Sequence, residues 1–237
     1  MIPLKPGNSL ISALPADDRD ALLSQAVLTD FPQGYVFYEP GDPVDHLHFI
    51  EHGICSSVAV LQDGRTVETA MIGREGVTGV VASTVRQHAF TRSLAQLGGV
   101  SWRIEAPKFR ALAAARPAIR ETVAEFMSSM QGELEQSAAC NALHRAEQRF
   151  AKWLLRCHDR VEGDTLSLTQ EYLASMLGSQ RTTVNEAAQG LQKAGAISYS
   201  RGRITVRDRA ALERIACECY RATVSVLDAR GAARADG

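Results

Sequence analysis

The chain has 237 residues, 45% of them hydrophobic and 22% charged, with a net charge of −1; that is enough for one large or two modest cores and the balance of an ordinary globular protein. No run approaches the roughly 18 apolar residues of a membrane span, and the opening MIPLKPGNSL lacks the apolar stretch of a secretory signal, so neither a membrane partner nor secretion is expected. The five cysteines, Cys55, Cys140, Cys157, Cys217 and Cys219, are odd in number and scattered, which argues for reduced thiols in a cytoplasmic protein and against a disulfide framework.

The first predicted element is a short helix in SALPADDRDALLSQAV, with Asp17 and Asp18 near its positive end. From about Asp30 to Arg103 the pattern turns to strands: apolar runs of strand length punctuated by QG, PGDP, HG, DG and GREG. Asp63-Gly64, between SSVAV and TVETAMI, is a strong hairpin signal because both residues tolerate the positive φ of a tight turn. Several short strands with regular glycine turns suggest a β-roll or barrel.

Helical spacing takes over after Pro107, and Pro117 can open a long helix of about seven turns, where its missing N–H costs nothing. Ile119, Val123, Phe126, Met130, Leu134, Ser137 and Asn141 fall on one stripe, flanked by Arg120, Glu121, Glu125, Glu133 and Glu135. Such a stripe fits a seam between two helices or a helix packed on its own domain. Asn141 is easier to place in a dimer seam than in a monomer core, so the stripe is taken as a dimer interface. A second helix, ALHRAEQRFAKWLLRCHDR, runs into the turn VEGDTL, which puts the boundary near His144 inside helical sequence and suggests a stiff connector. The tail DARGAARADG is small, charged and expected to fray.

LTQEYLASMLGSQRTTVNEAAQGLQKAGAI, residues 168–197, reads as two helices pivoting on Gly178. Thr169 suits the first N-cap, ahead of Gln170, and Tyr172, Leu173, Met176 and Leu177 form its apolar face. Ser179 suits the second cap. The second helix would bury Val184, Ala187, Ala188 and Leu191 and expose Gln180, Arg181, Thr182, Thr183, Asn185 and Glu186. A helix-turn-helix needs that arrangement: the first helix braces, and the second offers polar side chains to base edges. Arginine pairs with guanine, asparagine with adenine, and a threonine methyl can touch thymine. The following SYSRGRITVRD reads as a tight hairpin, a wing with Arg201 and Arg203 at its tip. Between Arg145 and Leu212 there are eleven Lys/Arg against seven Asp/Glu, the local excess of a module that binds double-stranded DNA.

In that order of elements, and most closely in LTQEYLASMLGSQRTTVNEAAQGLQKAGAISYSRGRI and YVFYEPGDPVDHLHFIEHGICSSV, the chain resembles the Crp/Fnr-type bacterial transcription regulators. The resemblance covers nearly the whole chain. It implies an α+β fold: an N-terminal double-stranded β-helix (β-roll or jelly-roll), a long dimerisation helix and a C-terminal winged helix-turn-helix. The corresponding boundaries are 1–116, 117–143 and 144–225, with a tail at 226–237. It also implies a homodimer on a palindromic operator, a sensor for a small-molecule effector, and RNA polymerase as a candidate partner. By position, Arg181 takes the place of the recognition-helix arginine that usually reads guanine; Thr182 stands where many members have glutamate.

The sensor end departs from the family pattern. Cyclic-nucleotide-binding members carry Gly-Glu-Leu and a later Arg-Ser-Ala; this chain has GREGVTGVV and Arg92-Ser93-Leu94, and their long-helix Thr-Ser aligns with Leu134-Glu135. Cyclic AMP is therefore not the expected effector, and an effector-independent regulator is the alternative within the class. Arg74, Glu75, Gly79 and Arg92 remain candidates to grip a small anionic ligand. Iron–sulfur members use closely spaced N-terminal cysteines, which are missing here, so no cofactor is expected. His46, His48 and His52 read as surface histidines without a third metal ligand. Cys217 and Cys219, if helical, would point about 200° apart, so no metal site is expected there either. No nucleophile–base pair marks an enzyme. Outside the class, the roll could be a ligand-binding module with a winged helix for docking protein.

Overall fold

The computed structural model describes residues 6–168 and 170–222; Thr169 and the expected tail at 226–237 lie outside them. The chain divides into two compact units: residues to Ala59 with Ala70–Gln131, and Val60–Thr69 with Gly132 onward.

The first unit opens with α1 (Ser9–Ser12) and α2 (Ala16–Leu23), the latter carrying Asp17 and Asp18 in its first turn. Strands β1 (Val27–Phe31), β2 (Val36–Tyr38), β3 (His46–Val60), β4 (Thr66–Ile72), β5 (Val77–Thr78) and β6 (Arg92–Glu105) follow, the β3–β4 turn and the first half of β4 counting with the second unit. They form one sheet in the order β1-β6-β3-β4, with β2 also on β6 and β5 on β3. The long β3 and β6 pair antiparallel from His46↔Glu105 to Val58↔Arg92, with register shifts around Ile50–Cys55 that bend both strands and roll the sheet. Asp63-Gly64 forms the expected hairpin turn; Leu61 N–H donates to Arg65 O at 2.9 Å.

Asn8, which no sequence pattern singles out, fixes the start of the chain to this roll. Its side-chain amide donates to Ile50 O and Gly76 O at 2.8 and 2.9 Å, and its Oδ1 accepts from the N–H groups of Leu10 and Ile11. Fully buried and fully paired, it leaves no uncompensated polar atom in the core.

Helix α3 (Ala106–Ala115) closes the roll, and α4 (Pro117–Leu143) starts immediately after it. Here the structure corrects the dimer stripe. Ile119, Val123 and Phe126 are buried in the roll's own core beside Phe49, Ile104 and Phe109, and Met130 packs against that core. They have no surface left for a partner helix. Of the seven stripe residues, only Leu134 and Asn141 are exposed. Among the many residues α4 exposes, which include Arg120, Glu121, Glu125, Ser128 and Glu135, one line runs Ala124, Met127, Gln131, Leu134, Ala138 and Asn141 at alternating spacings of three and four. The division between units falls inside this helix, after Gln131, because its first half completes the roll.

The second unit continues with α5 (Ala146–His158), β7 (Thr165–Ser167), α6 (Gln170–Leu177), α7 (Arg181–Lys193), β8 (Ile197–Ser200), β9 (Arg203–Val206) and α8 (Arg209–Ile215). Helices α4 and α5 are not continuous: His144 and Arg145 interrupt them, and extended Arg145 caps α5. The predicted stiff connector is thus two helices with a break. Strand β7 falls in part of the segment read as a turn, and joins a three-stranded sheet β7-β9-β8.

His48 also departs from expectation. It is buried, packed edge-on against Phe37 with ring centroids 4.8 Å apart, and its Nδ1 lies 3.2 Å from Ser101 Oγ. Burial first, then His46 and Arg103, push its pKa down to about 3. A group whose folded pKa lies below its unfolded 6.5 leaves the unfolded chain holding the extra proton between those values. Stability therefore falls as the pH drops from 6.5 towards 3, by up to about 1.4 kcal/mol per pH unit from this residue. Urea unfolding of the wild type and His48→Phe across that range should show the wild type losing ground steadily to the variant; parallel pH profiles would contradict a buried neutral imidazole.

Candidate nucleic-acid interface

The turn between α6 and α7 is built from local chemistry. Gly178 takes φ +56° just past α6, Ser179 N–H reaches back to Ala174 O at 3.1 Å, and Gly178 N–H to Ser175 O at 3.3 Å. This paired closure satisfies the last carbonyls of a helix and wants glycine at the left-handed position. Helix α7 ends the same way at Gly195, with Ala196 N–H bonded to Leu191 O and Gly195 N–H to Gln192 O.

The predicted Ser179 cap is corrected. The N-cap of α7 is Gln180, without a side-chain cap bond. Ser179 Oγ instead donates to Leu177 O at 3.2 Å and accepts from Arg149 Nη2 at 3.0 Å. Arg149, on α5, also donates through Nη1 to Leu177 O and to Asn141 Oδ1 at 3.2 and 2.9 Å. One guanidinium therefore ties the turn to α5 and to the end of α4. Nothing in the local sequence announces this, because its partners lie 28 and 30 residues away.

Helix α7 buries Val184, Ala187, Ala188 and Leu191, the four positions expected. That face packs on α5, whose Phe150, Ala151, Leu154 and Leu155 are also buried. Gln180, Arg181, Thr182, Asn185 and Glu186 are exposed on the other side, with Thr183 half-buried between the faces. The side chain of Gln170 is not among those described. In the wing, Ser200 pairs with Arg203 across a two-residue turn, Arg201-Gly202, at φ +50° and +73°. Both central residues have positive φ, the hairpin geometry that matches strand twist. Arg201 and Arg203 are exposed there.

Two family models match the chain: one described as "Cyclic nucleotide-binding domain" over residues 28–116, the other as "Crp-like helix-turn-helix domain" over residues 148–215. The chain is a DNA-binding transcription regulator of the Crp/Fnr type. It is 26% identical over 203 residues to the "CRP-like cAMP-activated global transcriptional regulator" of Mycobacterium tuberculosis, covering 82% of this chain and 90% of that one. It is 23% identical over 194 residues to the "Global nitrogen regulator" of Synechococcus elongatus, covering 78% and 87%. The structure of FixK2 from Bradyrhizobium japonicum shares the fold at TM-score 0.69 and 17% identity, covering 81% of this chain and 98% of that one. The c-di-GMP responsive regulator CLP of Xanthomonas campestris does so at 0.65 and 16%, covering 82% and 100%.

In this Crp/Fnr protein the four effector candidates do not converge. A small cavity in the roll is lined by hydroxyl residues Tyr38, Ser57, Thr78, Thr91 and Ser93 among apolar neighbours such as Ile72 and Met130. Gly79 borders it; Arg74, Glu75 and Arg92 do not. Arg74 is exposed on the turn after β4, and Glu75 accepts from Gly73 N–H at 3.0 Å. Arg92 bonds outward to Glu39 at 2.8 Å, while its neighbour Ser93 turns inward to Thr78 at 2.7 Å. Adjacent strand residues face opposite sides, and the inward one is a serine.

The brace yields a prediction. Arg149→Ala should lower the unfolding free energy by roughly 1–3 kcal/mol, because a group with several charged hydrogen bonds is lost. Affinity for specific and random duplex should fall together in a gel shift, since α7 is displaced bodily; a loss confined to one sequence would contradict the brace.

Proposed function

We propose that α7 lies in the major groove of double-stranded DNA, with Gln180, Arg181, Thr182, Asn185 and Glu186 towards base edges and Thr183 at the margin. Thr169, Gln170 and the wing arginines Arg201 and Arg203 serve the phosphate backbone. Ser179 acts through the brace on the turn. The observation that carries this reading is the exposed polar ridge of α7 over a face whose four apolar residues are sealed into the unit. Base contacts specify and phosphate contacts position.

Two copies pair through α4, in a register the helix itself supports. Ala124, Gln131 and Ala138 are seven residues apart, as are Met127, Leu134 and Asn141, and all six are exposed. That is the a/d spacing of a two-helix seam. The small alanines permit close approach, and Asn141 is tolerable there as a polar seam residue. A two-fold dimer predicts a palindrome with half-sites one helical turn, about 34 Å, apart.

The roll is the place for an effector. Relatives are named for cAMP activation or a c-di-GMP response, but the cavity here offers hydroxyls and apolar groups and no charged lining residue. An anionic cyclic phosphate finds no cation in it. We infer a small uncharged effector, acting by shifting the population of seam geometries through α4. Free, buried thiols and a DNA target support a cytoplasmic protein.

Arg181→Ala should reduce discrimination at one base position by roughly 1–3 kcal/mol, whereas Arg203→Ala should weaken all sequences alike and lower the salt slope by about one unit. Binding measured on an enriched operator and on random duplex at several salt concentrations separates the two. Equal affinity of the wild type for both would instead mark the winged helix as a protein-docking module. Leu134→Arg should shift the sedimenting species to monomer, while Ser137→Arg, off the proposed seam, should not; the reverse order would restore the stripe first read from sequence.

A further inference from the structure

Four residues that the DNA-binding reading does not use meet in the second unit. Helix α8 stops at Ile215, and extended Ala216 (φ −59°, ψ 147°) redirects the chain. Cys217 therefore lies outside α8, and the helical splay expected for Cys217 and Cys219 does not occur. Both thiols turn to the end of α4, where Cys140 and His144 stand one turn apart; His144 N–H bonds to Cys140 O at 3.1 Å. The Sγ atoms of Cys140 and Cys217 are 3.6 Å apart, Cys219 Sγ is 3.5 Å from His144 Nδ1, and all four ligand atoms lie within 4.8 Å of one another.

Those lengths select among chemistries. A disulfide brings its sulfurs to about 2.0 Å, well inside the observed gap. A tetrahedral zinc with bonds of about 2.3 Å to sulfur and 2.0–2.1 Å to nitrogen has edges of about 3.8 Å between sulfurs and 3.6 Å between sulfur and nitrogen. An iron–sulfur cubane holds its thiolates on a much larger tetrahedron. Hydrophobic packing is a poor account as well: among the described residues, Cys140, Cys217 and Cys219 form a buried cluster with no other hydrophobic member.

The surroundings match a metal-bound tetrad. His144 presents Nδ1 to the centre while its Nε2 lies 3.1 Å from Glu218 Oε1, the outer carboxylate that fixes ring orientation in metal sites. Gln136 Nε2 donates to Cys219 Sγ at 3.0 Å. Lys152, buried on α5, lies beside the thiol of Cys140 and favours its thiolate. Three thiolates and one imidazole around a divalent ion carry a charge of −1, and a buried ammonium beside them balances it. We propose that Cys140, His144, Cys217 and Cys219 bind one zinc ion in a closed Cys3His site. All four ligands come from the protein, so the site is structural, fastening the segment after α8 to the end of α4.

The test uses the full chain, purified under reducing conditions and dialysed against EDTA. One zinc per protomer by mass spectrometry of the metals is expected, and it should be lost in Cys217→Ser and in Cys219→Ser. Glu218→Gln, a change at an exposed position, should keep its helicity by circular dichroism yet bind zinc roughly 10–100-fold more weakly. Wild-type protein grown on cobalt in place of zinc should show the intense visible band of tetrahedral thiolate coordination, a readout independent of any variant's folding. Wild type without stoichiometric metal and without that band, iron with inorganic sulfide, or a Cys140–Cys217 disulfide in the reduced preparation each overturns the proposal.

Discussion

A helix face sealed into one core is not available to a partner, and α4 is where that constraint governs the molecule. Its apolar stripe is consumed by the roll: Ile119, Val123 and Phe126 complete the core around Phe49 and Phe109. Whatever α4 offers a second copy must come from another face. The line of exposed residues proposed for a seam holds two alanines, a methionine, a leucine, a glutamine and an asparagine, a face of modest apolar area. If two copies pair there, the interface is weak enough for a small bias to shift it.

The same constraint explains why the stripe in sequence marks a core face through Phe126. A stripe spaced by threes and fours is the signature of any buried helix face, whether it meets its own domain or a partner. Residues 119–126 satisfied it better than residues 124–141 because a core demands large apolar side chains and a helix seam tolerates Ala and Asn. Where signals were chemical and local, the reading matched the structure. Gly178, Asp63-Gly64 and Arg201-Gly202 each required a positive φ that few residue types accept, and the four buried positions of α7 followed from spacing alone. Arg149 and Asn8 were invisible because each acts on partners far along the chain, and β7 because three residues are too few for a period.

In the roll the departures from expectation share one physical origin. A charged residue looks in sequence like a ligand-binding group, yet strand geometry sends neighbours to opposite faces. Arg92 therefore meets Glu39 at the surface and Ser93 meets Thr78 within. Glu75 is spent on its own turn. His48 shows the converse: a titratable residue read as exposed lies on a strand buried on both sides, where Leu47, His48, Phe49 and Ile50 are consecutive core residues. The family resemblance gave the architecture, and only the register decides what the cavity contains.

The second unit is held on two sides by different chemistry. On one, Arg209 bonds to His158, Asp159, Glu213 and Tyr220, and Tyr220 OH donates in turn to Asp159. On the other, the tetrad joins the end of α4 to the segment after α8, beside Lys152 of α5. Between these anchors runs α5, which carries both Arg149 and the apolar face on which α7 packs. A recognition ridge specifies bases only if held to within a fraction of an ångström, and α7 owns no cap bond of its own. Its placement therefore follows α5 and α6, against which it packs, and α5 is in turn joined to the polar network through His158.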